Sequence, residues 1–112
     1  MGAMTLPWPP SLNRYWRAVQ GRMLISEEGR RYRKAVADAA MLSRWPKHGA
    51  KRLTVSIEAW VPDKRRRDLD NMLKAALDAL THAGVWDDDS QIDDLRIKRM
   101  PVGGMLKVEV QS

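Results

Sequence analysis

The chain has 112 residues, and 20 lysine and arginine residues against 14 aspartate and glutamate residues give it a formal net charge of +6. The chain has no cysteine, which excludes a disulfide framework, a cysteine-ligated zinc site and a thiol nucleophile. No apolar run approaches the roughly 18 residues of a membrane span, and the first residues lack the pattern of a secretory signal, so we expect a soluble cytoplasmic protein with no membrane partner. The length predicts a single domain over residues 1–112, with residues 1–3 interpreted as a candidate cloning remnant.

The charge is distributed unevenly along the chain. Residues 1–67 carry 15 basic and five acidic side chains, whereas residues 68–112 carry five basic and nine acidic ones. A basic chain attracts polyanions and gains free energy by releasing their counterions. A dense group of aspartates in such a chain therefore indicates a specific use for those carboxylates.

The first half of the chain predicts short strands and one long helix. The proline-rich segment 5–10 suits an edge strand or an extended arm, and Gly21–Ile25 suits a short strand. Ser26 is a predicted N-cap for a helix that runs to about Leu42, whose inward face includes Tyr32 and Val36 together with Leu42 itself. Residues 45–49 are predicted to form a loop.

The second half of the chain has clearer periodicity. Alternating apolar residues predict a strand over Leu53–Trp60, and a stripe with helical spacing predicts a helix from about Leu69 that ends before Gly84. Segments 95–100 and 105–110 suggest two strands joined as a hairpin. These elements predict an α/β or α+β domain, in which two main helices pack on one face of a small mixed sheet.

The segment Asp63–Asn71 is the most informative part of the chain. The four cations Lys64–Arg67 are followed by Asp68 and Asp70, whose spacing in extended backbone places both carboxylates on one side. With a third carboxylate from the loop 87–89 they predict a site for a hard divalent cation such as Mg²⁺. A metal ion beside captured phosphates is the arrangement for phosphodiester hydrolysis.

Lys74 lies one helical turn after Asp70, so two interpretations are open. In one, its ammonium stabilises the charge that develops on the reacting phosphate. In the other, it forms an ordinary ion pair with Asp70 that is worth roughly 0.2–0.5 kcal/mol.

Structural alternatives are open for the other residues as well. The basic run is also typical of a solvated loop, Asp68 of a helix N-cap, and the three aspartates 87–89 of a polar turn. The acidic loop does not fit a calcium-binding helix–loop–helix motif, because Ile92 stands where that motif needs a glycine. His48 and His82 are isolated and have no partner at metal-ligand spacing.

With these residues in view, the chain resembles the RusA family of Holliday-junction resolvases, which are small phage- and prophage-associated endodeoxyribonucleases. The similarity is carried by the following segments: Leu6–Ser11 with Asn13–Tyr15, Arg65–Asn71 with Lys74, Ala83–Trp86, and Asp88–Gln91. Two departures are Leu12, where a polar residue is expected, and Asp87, which lengthens the acidic run.

The resemblance implies a mixed α/β fold, a homodimer, and three aspartates that hold Mg²⁺ or, in its place, Mn²⁺. The aspartates correspond here to Asp68, Asp70 and Asp89, and the essential lysine corresponds to Lys74. The resemblance also implies DNA contacts for Ser11, Leu12, Asn13, Arg14, Lys64, Arg65, Arg66, Arg67 and Asn71, and it implies no organic cofactor.

The leading hypothesis is therefore a Mg²⁺-dependent enzyme that resolves four-way DNA junctions in recombination and repair. Two alternatives are a non-catalytic protein of prophage origin that binds branched DNA, and a nuclease directed at flaps or forks.

Overall fold

The protein is described by a computed structural model over residues 4–112, so the interpretation of residues 1–3 lies outside the described part of the chain. A four-stranded sheet has the strand order β1-β6-β4-β5, and β2 and β3 form a separate two-stranded sheet. The strands are β1 (Met4–Pro7), β2 (Trp16–Val19), β3 (Arg22–Ile25), β4 (Leu53–Trp60), β5 (Ile92–Met100) and β6 (Met105–Gln111). The helices are α1 (Leu12–Tyr15), α2 (Glu27–Leu42) and α3 (Asp70–His82). The α+β class with a small mixed sheet and two main helices is confirmed.

Strand β4 is the central element, and its bounds are those that the alternation predicts. Every second side chain from Leu53 to Ala59 is buried, because one face of the strand covers the core. β4 pairs in parallel with β5 and antiparallel with β6, which makes the sheet mixed. The apolar side of α3 belongs to the same core through Ala76, Leu77 and Leu80.

The predicted hairpin between the last two strands is wrong. β5 and β6 lie on opposite sides of β4, and the connection 101–104 crosses the end of that strand. The Gly103 N–H donates to the Val61 carbonyl and the Gly104 N–H to the Trp60 carbonyl, both at 2.8 Å. Two strand spacings are roughly 10 Å, a span that four residues cover easily. The glycine-containing connection is thus a turn over β4, and sequence pattern alone does not reveal an intervening strand.

Helix α2 begins and ends where the sequence predicts. The Ser26 hydroxyl accepts a hydrogen bond from the Gly29 N–H at 2.9 Å, which caps the first turn. Tyr32 and Val36 are buried, but the predicted inward position of Leu42 is wrong, since that side chain is 84% exposed. Trp45, just past the end of the helix, packs against the core instead.

The segment 12–19 contains two elements that the sequence did not predict. α1 and β2 have only four residues each, too few to show a hydrophobic period. The turn from β2 to β3 places Gln20 and Gly21 at positive φ, as a tight two-residue hairpin requires. No helix within residues 4–112 is both long enough and apolar enough to cross a membrane.

Candidate nucleic-acid interface and carboxylate site

The basic loop that precedes α3 is organised around Asp63. This carboxylate forms two hydrogen bonds with the Arg67 guanidinium, at 2.5 and 3.1 Å, and accepts another from the Arg65 backbone N–H at 2.9 Å. The bonds from Arg67 and from the Arg65 N–H hold the pKa of Asp63 well below its usual range. Arg99 on β5 donates to the Arg67 carbonyl at 2.7 Å. Arg67 therefore shapes the loop as well as adding charge to it.

The other cations of the loop face solvent. Lys64 and Arg66 are exposed, and within residues 4–112 neither belongs to an ion pair. The Arg65 side chain is 79% exposed, although it lies 3.3 Å from Asp63. The run 64–67 thus presents three accessible charges on a loop that the Asp63–Arg67 pair holds in shape.

Asp68 and Asp70 lie where the loop turns into the helix, and the extended backbone expected between them is not present. Leu69 has helical torsions, and the Asn71 N–H donates to the Asp68 carbonyl at 3.2 Å. In helical backbone, residues two apart do not share a face. The alternative reading of Asp68 as an N-cap is also wrong, because Leu69 occupies the cap position and no side chain caps this helix.

The predicted catalytic side chains have no ion-pair partner within the described residues 4–112. Asp68, Asp70, Asp89 and Lys74 are all exposed and take part in none of the ion pairs of this region. The alternative ion pair between Asp70 and Lys74 is therefore not formed. In a chain with an excess of cations, three unpaired carboxylates are available to a ligand.

The acidic loop is fixed by Gln91, which is only 6% exposed. Its side-chain oxygen accepts the N–H groups of Asp87 and Asp88, at 3.1 and 2.8 Å, while its amide nitrogen donates to the carbonyls of Gly49 and Lys51. The Asp88 carboxylate accepts from the Ser90 N–H at 2.9 Å and caps the short 3₁₀ turn Asp89–Gln91. Hydrogen bonding from the Ser90 side chain, and then from its backbone N–H, lowers the pKa of Asp88. The Asp88 carboxylate thus accepts a hydrogen bond within the loop, whereas the Asp89 carboxylate accepts none within residues 4–112.

Two surface cavities border α1. The first, of about 520 Å³, is rich in arginine and also contains Asp68; its lining includes Trp8, Ser11, Arg14, Arg31, Arg65, Arg67, Asp68 and Asn71. The second, of about 870 Å³, holds Lys74 and Asp89 together; its lining includes Leu12, Asn13, Trp16, Arg17, Lys74, Asp78 and Asp89. All of the predicted DNA-contacting residues except Lys64 and Arg66 therefore line one of two adjacent cavities.

The three predicted metal ligands fit a divalent cation in donor type but do not form a preassembled site. Among residues 4–112, no three Asp, Glu or His side chains lie close enough together to hold one metal ion. Asp68 lines the first cavity, Asp89 lines the second, and Asp70 begins α3. Carboxylates without a cation between them repel one another, which opposes their close approach in the protein alone.

Several residues in this region were missed by the sequence analysis. Arg31 on α2 lines the arginine-rich cavity, and Tyr15, Arg33 and Asp78 form a hydrogen-bonded cluster beside Lys74. Tyr15 belongs to a segment that carries the family resemblance, and Asp78 is spaced four residues from Lys74, but neither signal indicated the cluster. The other contacts join segments that are distant in the sequence.

The fold and this surface define a small α+β domain in which accessible cations and unpaired carboxylates surround one short helix, a combination suited to chemistry on a polyanion. The chain belongs to the RusA family of endodeoxyribonucleases, whose family description, Endodeoxyribonuclease RusA, matches residues 7–111. It is 48% identical over 110 residues to the crossover junction endodeoxyribonuclease RusA of Escherichia coli K12, covering 96% of this chain and 92% of that protein. It is 50% identical over 109 residues to the protein of the same name from Enterobacteria phage 82, covering 96% and 91%.

Proposed function

We propose that this protein is a metal-dependent endodeoxyribonuclease that resolves Holliday junctions by paired phosphodiester cleavage in recombination and repair. The observation that carries the proposal is that Lys74 and Asp89, neither of which belongs to an ion pair within residues 4–112, line the same cavity next to the arginine-rich one. The names of the relatives, crossover junction endodeoxyribonucleases, support the same substrate.

Asp68, Asp70 and Asp89 are the proposed ligands of a Mg²⁺ ion, with Mn²⁺ as a substitute. The bound ion supplies an activated water and Lewis acidity at the scissile phosphate. Lys74 offers its ammonium to the charge that develops on the phosphate or on the departing 3′ oxygen. Gln91 holds the acidic loop so that Asp89 stays on the side of the second cavity.

The cation-rich surface binds the DNA backbone in this proposal. Arg14, Arg65 and Arg67 reach the first cavity, and Lys64 and Arg66 extend the charge outward. Such contacts position a branched substrate without reading its bases, and each adds to the salt dependence of binding. Ser11, Asn13 and Asn71 offer polar groups, whereas Leu12 contributes an apolar contact.

A homodimer suits this chemistry because a four-way junction has approximate two-fold symmetry. Resolution needs two cuts in strands of like polarity, and two subunits related by a two-fold axis provide two equivalent sites. We therefore propose a dimer as the functional unit.

A cleavage assay on a synthetic four-way junction tests the proposal. Wild type is expected to cleave the junction in Mg²⁺, not in EDTA, and to leave linear duplex intact. Asp70→Asn is expected to abolish cleavage while retaining binding, whereas Asp38→Asn, which changes the same charge on α2, is expected to cleave normally. Full cleavage by Asp70→Asn would refute the metal assignment.

The separation of the three carboxylates in the described residues favours one alternative, a protein that binds branched DNA without cutting it. Binding with no cleavage in Mg²⁺, Mn²⁺ or Co²⁺ would establish that alternative. Preferential cleavage of flaps or forks over four-way junctions at equal salt would instead indicate a fork-directed nuclease.

A further inference from the structure

Asp78, one helical turn after Lys74 on α3, is held by two residues from other elements. The Arg33 Nε on α2 donates to its Oδ2 at 2.8 Å, and the Tyr15 hydroxyl donates to the same oxygen. Arg33 Nε also lies 3.2 Å from the Tyr15 hydroxyl oxygen, which closes the cluster. Tyr15 is fully buried, and the side chains of Arg33 and Asp78 are only 23% and 29% exposed. This is the least exposed of the ion pairs within residues 4–112.

Asp78 is positioned to form an ion pair with Lys74, and it would then compete with a substrate phosphate for the lysine ammonium. Residues four apart on a helix lie side by side, and lysine and aspartate at that spacing attract each other. Both side chains line the second cavity, together with Asp89. Within residues 4–112, however, Lys74 takes part in no ion pair, and Asp78 is bound by Arg33 and Tyr15 instead.

We propose that Arg33 and Tyr15 are positioning residues that occupy the Asp78 carboxylate and thereby leave the Lys74 ammonium available for the substrate phosphate. The inference rests on the role of Lys74 proposed above. Arg33 and Tyr15 touch neither the substrate nor the reacting atoms in this account. They act only by occupying the Asp78 carboxylate, which prevents it from binding Lys74.

Neighbouring groups stabilise the hydrogen bonds that Arg33 and Tyr15 donate to Asp78. Trp16 packs edge-on against Tyr15, with ring centroids 5.2 Å apart, and Arg33 lies 5.8 Å from the Trp16 ring. Burial and the hydrogen bond to Asp78 raise the pKa of Tyr15 well above its ordinary value, so its hydroxyl remains a donor. Burial by itself would lower the pKa of Arg33, but its bonds to Asp78 and Tyr15 raise it overall.

Removing Arg33 leaves a half-buried carboxylate without a cation. In such surroundings, attraction between opposite charges is several times stronger than in water, and Lys74 is the cation one turn away on the same helix. Pairing with Asp78 would draw the ammonium from the phosphate and neutralise its charge. Replacing Asp78 as well removes the carboxylate that would bind Lys74. The double variant is therefore expected to regain activity that the single variant has lost.

The test compares Arg33→Met with Arg33→Met/Asp78→Asn in single-turnover cleavage of a four-way junction with Mg²⁺. The single variant is expected to cleave about tenfold more slowly than wild type. This value lies between the roughly twofold effect of an exposed helical ion pair and the roughly 10²- to 10³-fold loss of rate when a transition-state hydrogen-bond donor is removed. Its affinity for the junction, measured in Ca²⁺ without cleavage, is expected to stay within about twofold of wild type. The double variant is expected to cleave faster than the single variant. Lys34→Met, the neighbouring cation on α2, is the charge-matched control and is expected to have no effect.

A purely structural role for the cluster predicts the opposite order, with the double variant as slow as the single variant or slower, and that result would overturn the inference. Wild-type cleavage by Arg33→Met would also overturn it. If Arg33→Met does not fold, Tyr15→Phe with and without Asp78→Asn makes the same comparison with a smaller change. Lys74→Met separates the two proposals: if it cleaves normally, the proposed role of Lys74 fails, whereas if it is inactive and Arg33→Met is normal, only this inference fails.

Discussion

The backbone N–H of Leu12 donates to the side-chain oxygen of Asn71 at 3.2 Å, across 59 residues of sequence. Leu12 begins α1, and Asn71 lies in the first turn of α3. The bond joins the two segments for which the resemblance implies DNA contacts. It also fixes α1 at the boundary between the arginine-rich cavity and the cavity of Lys74 and Asp89.

Asn71→Ala removes this acceptor. We expect a loss of about 0.5–1.5 kcal/mol in the free energy of unfolding, the usual net contribution of one hydrogen bond, together with weaker junction binding. Urea unfolding and a binding titration measure the two effects. Asn13→Ala, in α1 but without this bond, is expected to leave the free energy of unfolding unchanged. Equal stability of Asn71→Ala and wild type would contradict the role of the bond.

Gln91→Ala is expected to loosen the acidic loop. The substitution removes the hydrogen bonds that Gln91 makes to the Asp88 N–H and the Lys51 carbonyl, whereas the Asp87 N–H and the Gly49 carbonyl still bond to each other at 3.1 Å. Leaving even one buried polar group unsatisfied costs about 1–3 kcal/mol. We expect a loss of about 3 kcal/mol in urea unfolding and slower junction cleavage, because Asp89 shares the loop. Gln111→Ala, an exposed glutamine at the end of β6, serves as the control. A Gln91→Ala protein with wild-type stability would show that the loop does not depend on this side chain.

Lys64 and Arg66 are expected to act on binding through charge alone. Each lost phosphate contact should reduce the slope of log Kd against log salt by about 0.9. The variant Lys64→Ala/Arg66→Ala is therefore expected to bind junctions more weakly at low salt, with unchanged thermal stability. Lys47→Ala, near the opposite end of α3, should leave the slope unchanged. A slope equal to that of wild type in the double variant would remove these residues from the interface.

The two tyrosines of the chain report on the core at alkaline pH. Burial raises the pKa of both Tyr15 and Tyr32 well above the ordinary value of about 10. The folded-state pKa of each tyrosine is higher than its unfolded-state pKa. The contribution of the protonated tyrosines to the free energy of unfolding is therefore fully present below about pH 10, and it is lost as the pH rises towards the folded-state values. We expect no phenolate absorbance from the native protein near pH 10, and its appearance together with unfolding above that pH. Titration of either tyrosine near pH 10 while the circular dichroism remains native would contradict this burial.

Local pattern predicted the elements that are long and face one core. β4 matches its prediction because alternation over eight residues has one interpretation. α2 matches because its Ser26 cap and its period agree, and α3 matches because its apolar period is clear even without a side-chain cap. α1 and β2 are too short to carry a period. The hairpin of β5 and β6 failed because a turn sequence specifies a reversal of direction and not which strand lies beside which.

The candidate site was predicted by residue type and not by geometry. Asp68, Asp70 and Lys74 stand out in the sequence because they follow a basic run, and Asp89 because it belongs to an acidic loop. Within residues 4–112 none of the four belongs to an ion pair. The extended backbone expected between Asp68 and Asp70 is absent because Leu69 already has helical torsions. The cluster of Arg33, Tyr15 and Asp78 has no sequence signature, since its members come from three separate elements.

The most direct test of the metal-site proposal compares Asp89→Asn with Asp87→Asn, two equal charge changes in one acidic loop. We predict that Asp89→Asn binds four-way junctions but does not cleave them in Mg²⁺, whereas Asp87→Asn cleaves at a rate close to that of wild type. Cleavage by Asp89→Asn at the rate of Asp87→Asn would contradict the account.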